Sequence, residues 1–490
     1  MEFVELTIYN MYKMERMFLK HNNSCQWSRG MLKTALTFAA TFLFAACGMF
    51  ESDDAGCESG VDDSRAYMQV RVKVDATARS RAPQGGEDGD VREAGVYHEN
   101  DIHDVTLLLY TTNPKDAGIN AADGQATLTH ALYFPSVGER KTAEDGSAYY
   151  ETVPREMATP LDITKRYHVI VIANAGDLTQ TFSGMPLPQI RDYLVKQAWR
   201  KATTISEYDY FVMSSERDDV LSFGPSAQTG TGTRQSPYLV ETHIERLAAR
   251  LDFDISGGMT NSDGNYIIYN VYGDTSSEEP IGKFVLLQVM PFNQMVYGST
   301  LIKRVATNNP VDITYLGNET AEKGAATNYV LDALYEKEKD PNNYQNYVAV
   351  SSELDDVEIP ALWNVSGKSK VGSNTYYILD YTLENTTLDN ATDFATGLLF
   401  RGTYYTNAEW GDGSQPTGGT TKTYPYYIRH SDPRGNGTTA DPMHYGIVRN
   451  NIYRVKIRRV LEEPTTSDIS LDITINVRKW ALYEHSEIVM

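Results

Sequence analysis

"YMQVRVKVDATARSRAPQ", Tyr67 to Gln84, is the stretch on which the fold turns. Met68, Val70, Val72 and Val74 alternate with Gln69, Arg71, Lys73 and Asp75, the period-two pattern of a strand with one buried face. Arg79 and Arg81 follow, then "APQGGEDGD", which has no side chains with which to build a core. A well-formed strand therefore lies beside a stretch suited to a protease, and both fall near the start of the chain.

Further strands follow downstream. "DIHDVTLLLYTT" (Asp101–Thr112) and "KRYHVIVIANAGDLT" (Lys165–Thr179) read as buried strands, with weaker candidates at Ala131–Phe134 and Ala148–Val153. "PLPQIRDYLVKQAWRK" (Pro186–Lys201) predicts a helix, because Pro188 suits a first turn and Ile190, Tyr193, Leu194 and Ala198 recur at helical spacing. "YFVMSSE" reads as a short strand. "GPSAQTGTGTRQSP" (Gly224–Pro237) is punctuation, either a domain boundary or a long hairpin loop. Beyond it "YLVETHIERLAARLDFDIS", "KFVLLQVMPF" (Lys283–Phe292), "NTYYILDYTLEN" (Asn374–Asn385), "ATGLLFRGTYY" (Ala395–Tyr405), "GIVRNNIYRVKIRRV" (Gly446–Val460) and "DISLDITINVRKW" (Asp468–Trp480) are all strand-like. Many strands and few helices imply a mainly β fold: two antiparallel β-sandwich domains with a few short helices, over residues 82–230 and 238–490.

At 490 residues with 41% hydrophobic content, the chain is long enough for two or three cores. A formal charge of -21 argues against nucleic acid or anionic lipid as the partner of the folded part. Tyrosine outnumbers phenylalanine 33 to 15, as expected for half-exposed strands. The three cysteines, Cys25, Cys47 and Cys57, all lie near the N-terminus, so no disulfide framework holds the rest.

"MLKTALTFAATFLFAACG" has a basic start and an apolar core too short to span a bilayer, ending in small residues before Cys47. That is the layout of a bacterial lipoprotein signal, with Cys47 becoming the lipidated, palmitate-bearing first residue. It departs from the usual box in having Phe44 three places before the cysteine and Leu43 one place further back. The alternative is an ordinary secretory signal with an incidental cysteine. Residues 1–30 suit no export segment, and Met31 is the expected start; residues 48–65 form an acidic linker.

Catalytic motifs are not evident, and the chain is not expected to be an enzyme or to need a cofactor. His98 and His103 lack a third ligand, and "GGEDGD" (Gly85–Asp90) lacks the spacing of a calcium loop. The Asn-X-Ser/Thr triplets at Asn318, Asn364, Asn385, Asn390 and Asn436 read as chance surface loops.

"AYMQVRVKVDATARSRA", "VETHIERLAARLDF", "YTLENTT" (Tyr381–Thr387) followed by "GLLFRGTYY", and "YGIVRNNIYRVKI" (Tyr445–Ile457) before "INVRKW" together carry a likeness. In order and spacing the chain resembles the Bacteroidales fimbrillins, subunits of type V pili, most closely the major-subunit family of the short (minor) fimbrium. The resemblance implies transthyretin-like sandwiches and an exported lipoprotein precursor at the outer membrane. It implies cleavage by an arginine-specific protease after Arg81, before Ala82, with Arg79 the fallback. The strand within residues 66–81, with its face of Met68, Val70, Val72 and Val74, would then be removed. A strand from another copy or another fimbrial subunit would take its place, since an opened sheet exposes unpaired backbone groups and an apolar stripe. The donor is expected at the C-terminus. Asp468–Val477 reads better as a core strand, leaving Ala481–Met490 with Leu482, Ile488 and Met490. Host or bacterial surface ligands are implied for such an adhesive fibre, without nucleic acid. Two alternatives are an uncleaved anchor or tip subunit and a surface glycan-binding lipoprotein. The latter would have to build its platforms from Trp199, Trp363, Trp410 and Trp480.

Overall fold

The structure is a computed structural model. It describes most of residues 65–481, excluding 75–90, 112–125, 200–209, 324–375, 386–394, 431–444, 463–470 and several shorter stretches. These residues fall within one compact unit, Asp63–Met490. Strands dominate it and gather into two large sheets.

The first sheet runs in the order Thr127–Phe134, Val105–Thr111, Arg166–Ala173, Met213–Ser215, Tyr238–Arg246, Tyr67–Val74, Ala148–Glu151 and Lys141–Thr142. Asp219–Ser222 adds to Arg166–Ala173, and Arg155–Glu156 adds to Tyr67–Val74. Every residue of Val105–Thr111 is buried, which is why that strand reads as an unbroken apolar run rather than an alternation. The turn after Arg166–Ala173 places Asn174 at φ 62°, a left-handed conformation that asparagine tolerates. Its amide nitrogen donates to the Asp101 and Phe211 carbonyls, fixing the corner.

The second sheet runs Val91–Ala94, Leu471–Ala481, Asn451–Leu461, Ile267–Tyr272, Pro280–Phe292, Gly397–Thr406 and Thr420–Tyr427. Ala248–Asp254 pairs with both Asn451–Leu461 and Tyr376–Leu383. In Pro280–Phe292 the register shifts between Leu286 and Gln288, and Leu287 turns outward, 41% exposed. Phe253, Phe284, Phe400, Tyr453, Val455 and Ile457 share the core of this sheet.

Two sequence expectations change. The sheets are mixed rather than purely antiparallel: Tyr67–Val74 runs parallel to Tyr238–Arg246, and parallel pairs also join Ala248–Asp254 and Ile267–Tyr272 to Asn451–Leu461, and Val91–Ala94 to Leu471–Ala481. Alternation marks a strand but carries no direction, so this was not readable. The helix expected over Pro186–Lys201 is confined to Leu187–Arg191. Leu194–Val195 instead pairs with Ser299–Thr300, while Leu301 N–H donates to the Tyr193 carbonyl and Ile302 N–H to that of Arg191. These long-range bonds override a modest helical preference. Tyr238–Arg246 lies in the first sheet and Ala248–Asp254 in the second, with Leu247 between them.

Candidate functional site

Tyr67–Val74 is an interior strand, not an edge. It lies between Tyr238–Arg246 on one side and Ala148–Glu151 with Arg155–Glu156 on the other. Met68, Val70 and Val72 are fully buried and join one cluster with Leu107, Leu109 and Val171. Burying three such side chains stabilises the attached strand by roughly 5–9 kcal/mol, an upper bound set by an extended unfolded chain. Val74 completes the strand opposite Ala148.

Backbone and side chains also secure it. Val70 N–H donates to Thr152 Oγ1 at 3.0 Å, and Thr152 N–H donates to the Val70 carbonyl at 3.0 Å. Tyr67 N–H reaches the Gly232 carbonyl at 2.7 Å, and Gln69 Nε2 the Thr152 carbonyl at 2.6 Å. On the other face Arg71 stands in register with Glu151 and Glu241 and binds both, at 2.6 and 3.1 Å. Its guanidinium lies 4.4 Å from the Tyr149 ring centre. Lys73 pairs with Glu241, and Lys141 with Glu151 at 2.6 Å. Burial pushes the Glu151 carboxyl up, but the hydrogen bonds and charges of Lys141 and Arg71 outweigh it and hold the group below its usual range.

The chain's path around this strand is unusual. After Val74 the next described element, Val91–Ala94, belongs to the second sheet, and the chain returns to the first only at Val105–Thr111. Val91–Ala94 pairs with Leu471–Ala481, setting Ala94 opposite Ala481.

That downstream segment is held by a buried ionic cluster. Glu93 accepts from Arg454 at 2.6 and 3.0 Å, from Arg250 at 3.1 Å, from Arg478 at 3.1 Å and from the Tyr376 hydroxyl at 3.0 Å. Glu99, fully buried, accepts from Arg250 at 3.0 Å, from the Tyr381 hydroxyl at 2.6 Å and from Val96 N–H at 2.7 Å. Asp252 bridges Arg250 and Arg454 at 2.9 and 2.7 Å. Arg246 binds the Glu99 carbonyl at 2.8 Å and the Asn100 side chain. Burial pushes the Glu93 carboxyl up, yet the bonds and charge of Arg454, with Arg250 and Tyr376, hold it below its usual range. Arg250 is raised despite complete burial, because Asp252 and Glu99 surround it.

Sequence reasoning found the first strand but missed this cluster. Its one local signal was the pair Arg250 and Asp252, two charges on one face of the apolar run Ala248–Asp254. Cys47, Arg79, Arg81, Ala82, Leu482, Ile488 and Met490 lie outside the described residues, as do His98 and Trp363. His103 packs against Tyr210, Trp199 against Tyr381 and Trp410 edge-on against Tyr405. Among the described residues no group of three or more His, Cys, Asp or Glu is placed to hold a metal ion, and no helix is long and apolar enough to cross a membrane.

No protein-family model matches the chain, and no curated protein does. Among solved structures the chain is similar to the C-terminally truncated tip fimbrial protein Mfa3 from Porphyromonas gingivalis, at 11% identity over 85% of this chain and 100% of that one, TM-score 0.39. It is similar to a fimbrial assembly protein from Parabacteroides distasonis, at 14% identity over 84% and 95%, TM-score 0.36. A third is the fimbrial anchor protein Mfa2 from Porphyromonas gingivalis, at 9% identity over 86% and 100%, TM-score 0.28. The solved structures that the chain is similar to thus include several fimbrial proteins.

Proposed function

We propose that this chain is a structural subunit of a cell-surface adhesive fimbrium, a type V pilus, joined to its neighbours by strand exchange. The precursor is exported, lipidated at Cys47 and held at the outer membrane. An arginine-specific protease cuts after Arg81, ahead of Ala82, or alternatively after Arg79. The first strand then leaves, and a strand from another subunit replaces it. The C-terminal segment with Leu482, Ile488 and Met490 is this subunit's own donor.

The observation that supports this reading is the place of Tyr67–Val74. It is flanked on both sides, so its departure opens a groove with two unpaired strand edges. The next described element after it belongs to the other sheet, so it can leave without drawing its first-sheet neighbours after it.

The test is mass mapping of the protein isolated from its native cell surface. Fibre subunits are expected to begin at Ala82, and the membrane-bound precursor is expected to yield a lipid-bearing peptide starting at Cys47. Intact residues 66–81 in assembled fibres would favour an uncleaved anchor or tip subunit instead. A deletion of Leu482–Met490 supplies the second arm. It is expected to stop this subunit from donating to a neighbour while the monomer stays folded, read by electron microscopy and by gel filtration. Normal fibres from the truncated chain would remove the C-terminus as the donor.

A further inference from the structure

We propose that the groove left by Tyr67–Val74 selects its incoming strand by charge. It takes an extended segment of a different subunit with apolar residues at alternate positions and, on the opposite face, two basic residues two places apart. This deepens the strand-exchange reading and rests on it.

The present occupant shows what the groove recognises. Met68, Val70 and Val72 fill its floor, and Arg71 and Lys73 serve its rim. Arg71 is in register with Glu151 on one side and Glu241 on the other. The backbones that carry the two carboxylates therefore flank the opening about two strand spacings apart, roughly 10 Å, and one guanidinium reaches both carboxylates. Once the strand has gone, Lys141 still serves Glu151, but Glu241 loses both Arg71 and Lys73. A replacement with neutral or acidic residues at these positions would leave Glu241 unanswered and Glu151 with Lys141 alone, in a side-chain setting only 11% exposed. The Tyr149 ring under Arg71 further favours a guanidinium at the central position.

This chain's own tail does not have that chemistry. "LYEHSEIVM", Leu482–Met490, carries Glu484 and Glu487 and neither lysine nor arginine. With Leu482, Ile488 and Met490 on the floor, strand alternation sets His485 and Glu487 on the rim, so in the groove of a like copy it would bring one carboxylate, and no lysine or arginine, toward Glu151 and Glu241. The rim thus favours a partner other than a second copy, and it leaves the tail free to serve a groove of different charge.

The experiment uses the full chain, cut by an arginine-specific protease that is then inhibited. Three labelled peptides are offered: Ala66–Thr77 with the first-strand sequence, the same peptide carrying R71E and K73E, and Ala481–Met490. The first is expected to be captured roughly tenfold more tightly than either of the others, with the difference shrinking as salt rises. A companion chain with E151K and E241K is expected to reverse the order of the first two. Equal capture of the first two peptides, or tail capture as tight as that of the first-strand peptide, would overturn the charge selection while leaving strand exchange standing. If no peptide displaces the first strand from the cut chain, both readings fall together.

Discussion

Glu99→Ala is expected to lower the free energy of unfolding by about 3–5 kcal/mol, because it leaves the fully buried Arg250 guanidinium short of a counter-charge. The Tyr381 hydroxyl and Val96 N–H would lose their acceptor in the same step. Urea titration of the full chain checks this, and a loss under about 1 kcal/mol would show that water or rearranged neighbours can replace the carboxylate. Glu93 adds a pH signature. Its carboxyl is held low in the folded state, so between the folded and unfolded values the unfolded chain binds more protons and stability rises with pH. The contribution of Glu93 is therefore present above its ordinary value of 4.5 and is lost as pH falls through the lower folded-state value. Glu93→Gln is expected to flatten that acid limb. An unchanged acid limb would mean that other carboxylates set it.

This cluster also bears on the cut. The chain just beyond the proposed site enters the second sheet at Val91 and is tied there by Glu93 and Glu99. Cleavage upstream would then free the first strand without loosening the sheet that the new N-terminal segment joins.

What the sequence revealed followed from periodicity. Met68, Val70 and Val72 alternate with polar residues because one face of their strand is wet, and the same logic located Leu471–Ala481. Pairing partners were hidden, since the parallel neighbours Tyr67–Val74 and Tyr238–Arg246 lie far apart in the chain. The helix reading failed at Leu194, whose helical spacing from Ile190 was real but whose backbone was claimed by Thr300. For the ionic cluster, Arg250 and Asp252 could be noticed locally, whereas Glu99 and Glu93 lie 151 and 157 residues from Arg250. No local pattern joins groups at that distance.

Val70→Asp is expected to detach the first strand while sparing the second sheet. Val70 has no exposed surface and sits in mid-strand, with Thr152 bonded to its backbone on one side and Val240 in register on the other. A carboxylate there would be buried without a partner, at a cost of at least about 4 kcal/mol on top of the lost apolar contact. That is comparable with the roughly 5–9 kcal/mol assigned to the apolar face of the whole strand. Detachment then becomes less costly than burial. Hydrogen exchange should show lost protection at Tyr67–Val74 and at Ala148–Glu151, which pairs with it, with protection retained at Asn451–Leu461. Limited digestion should also release the segment upstream of Ala82 faster than from the unaltered chain. Uniform loss of protection across both sheets would show that the first strand cannot leave alone, and the order proposed for activation would fail with it.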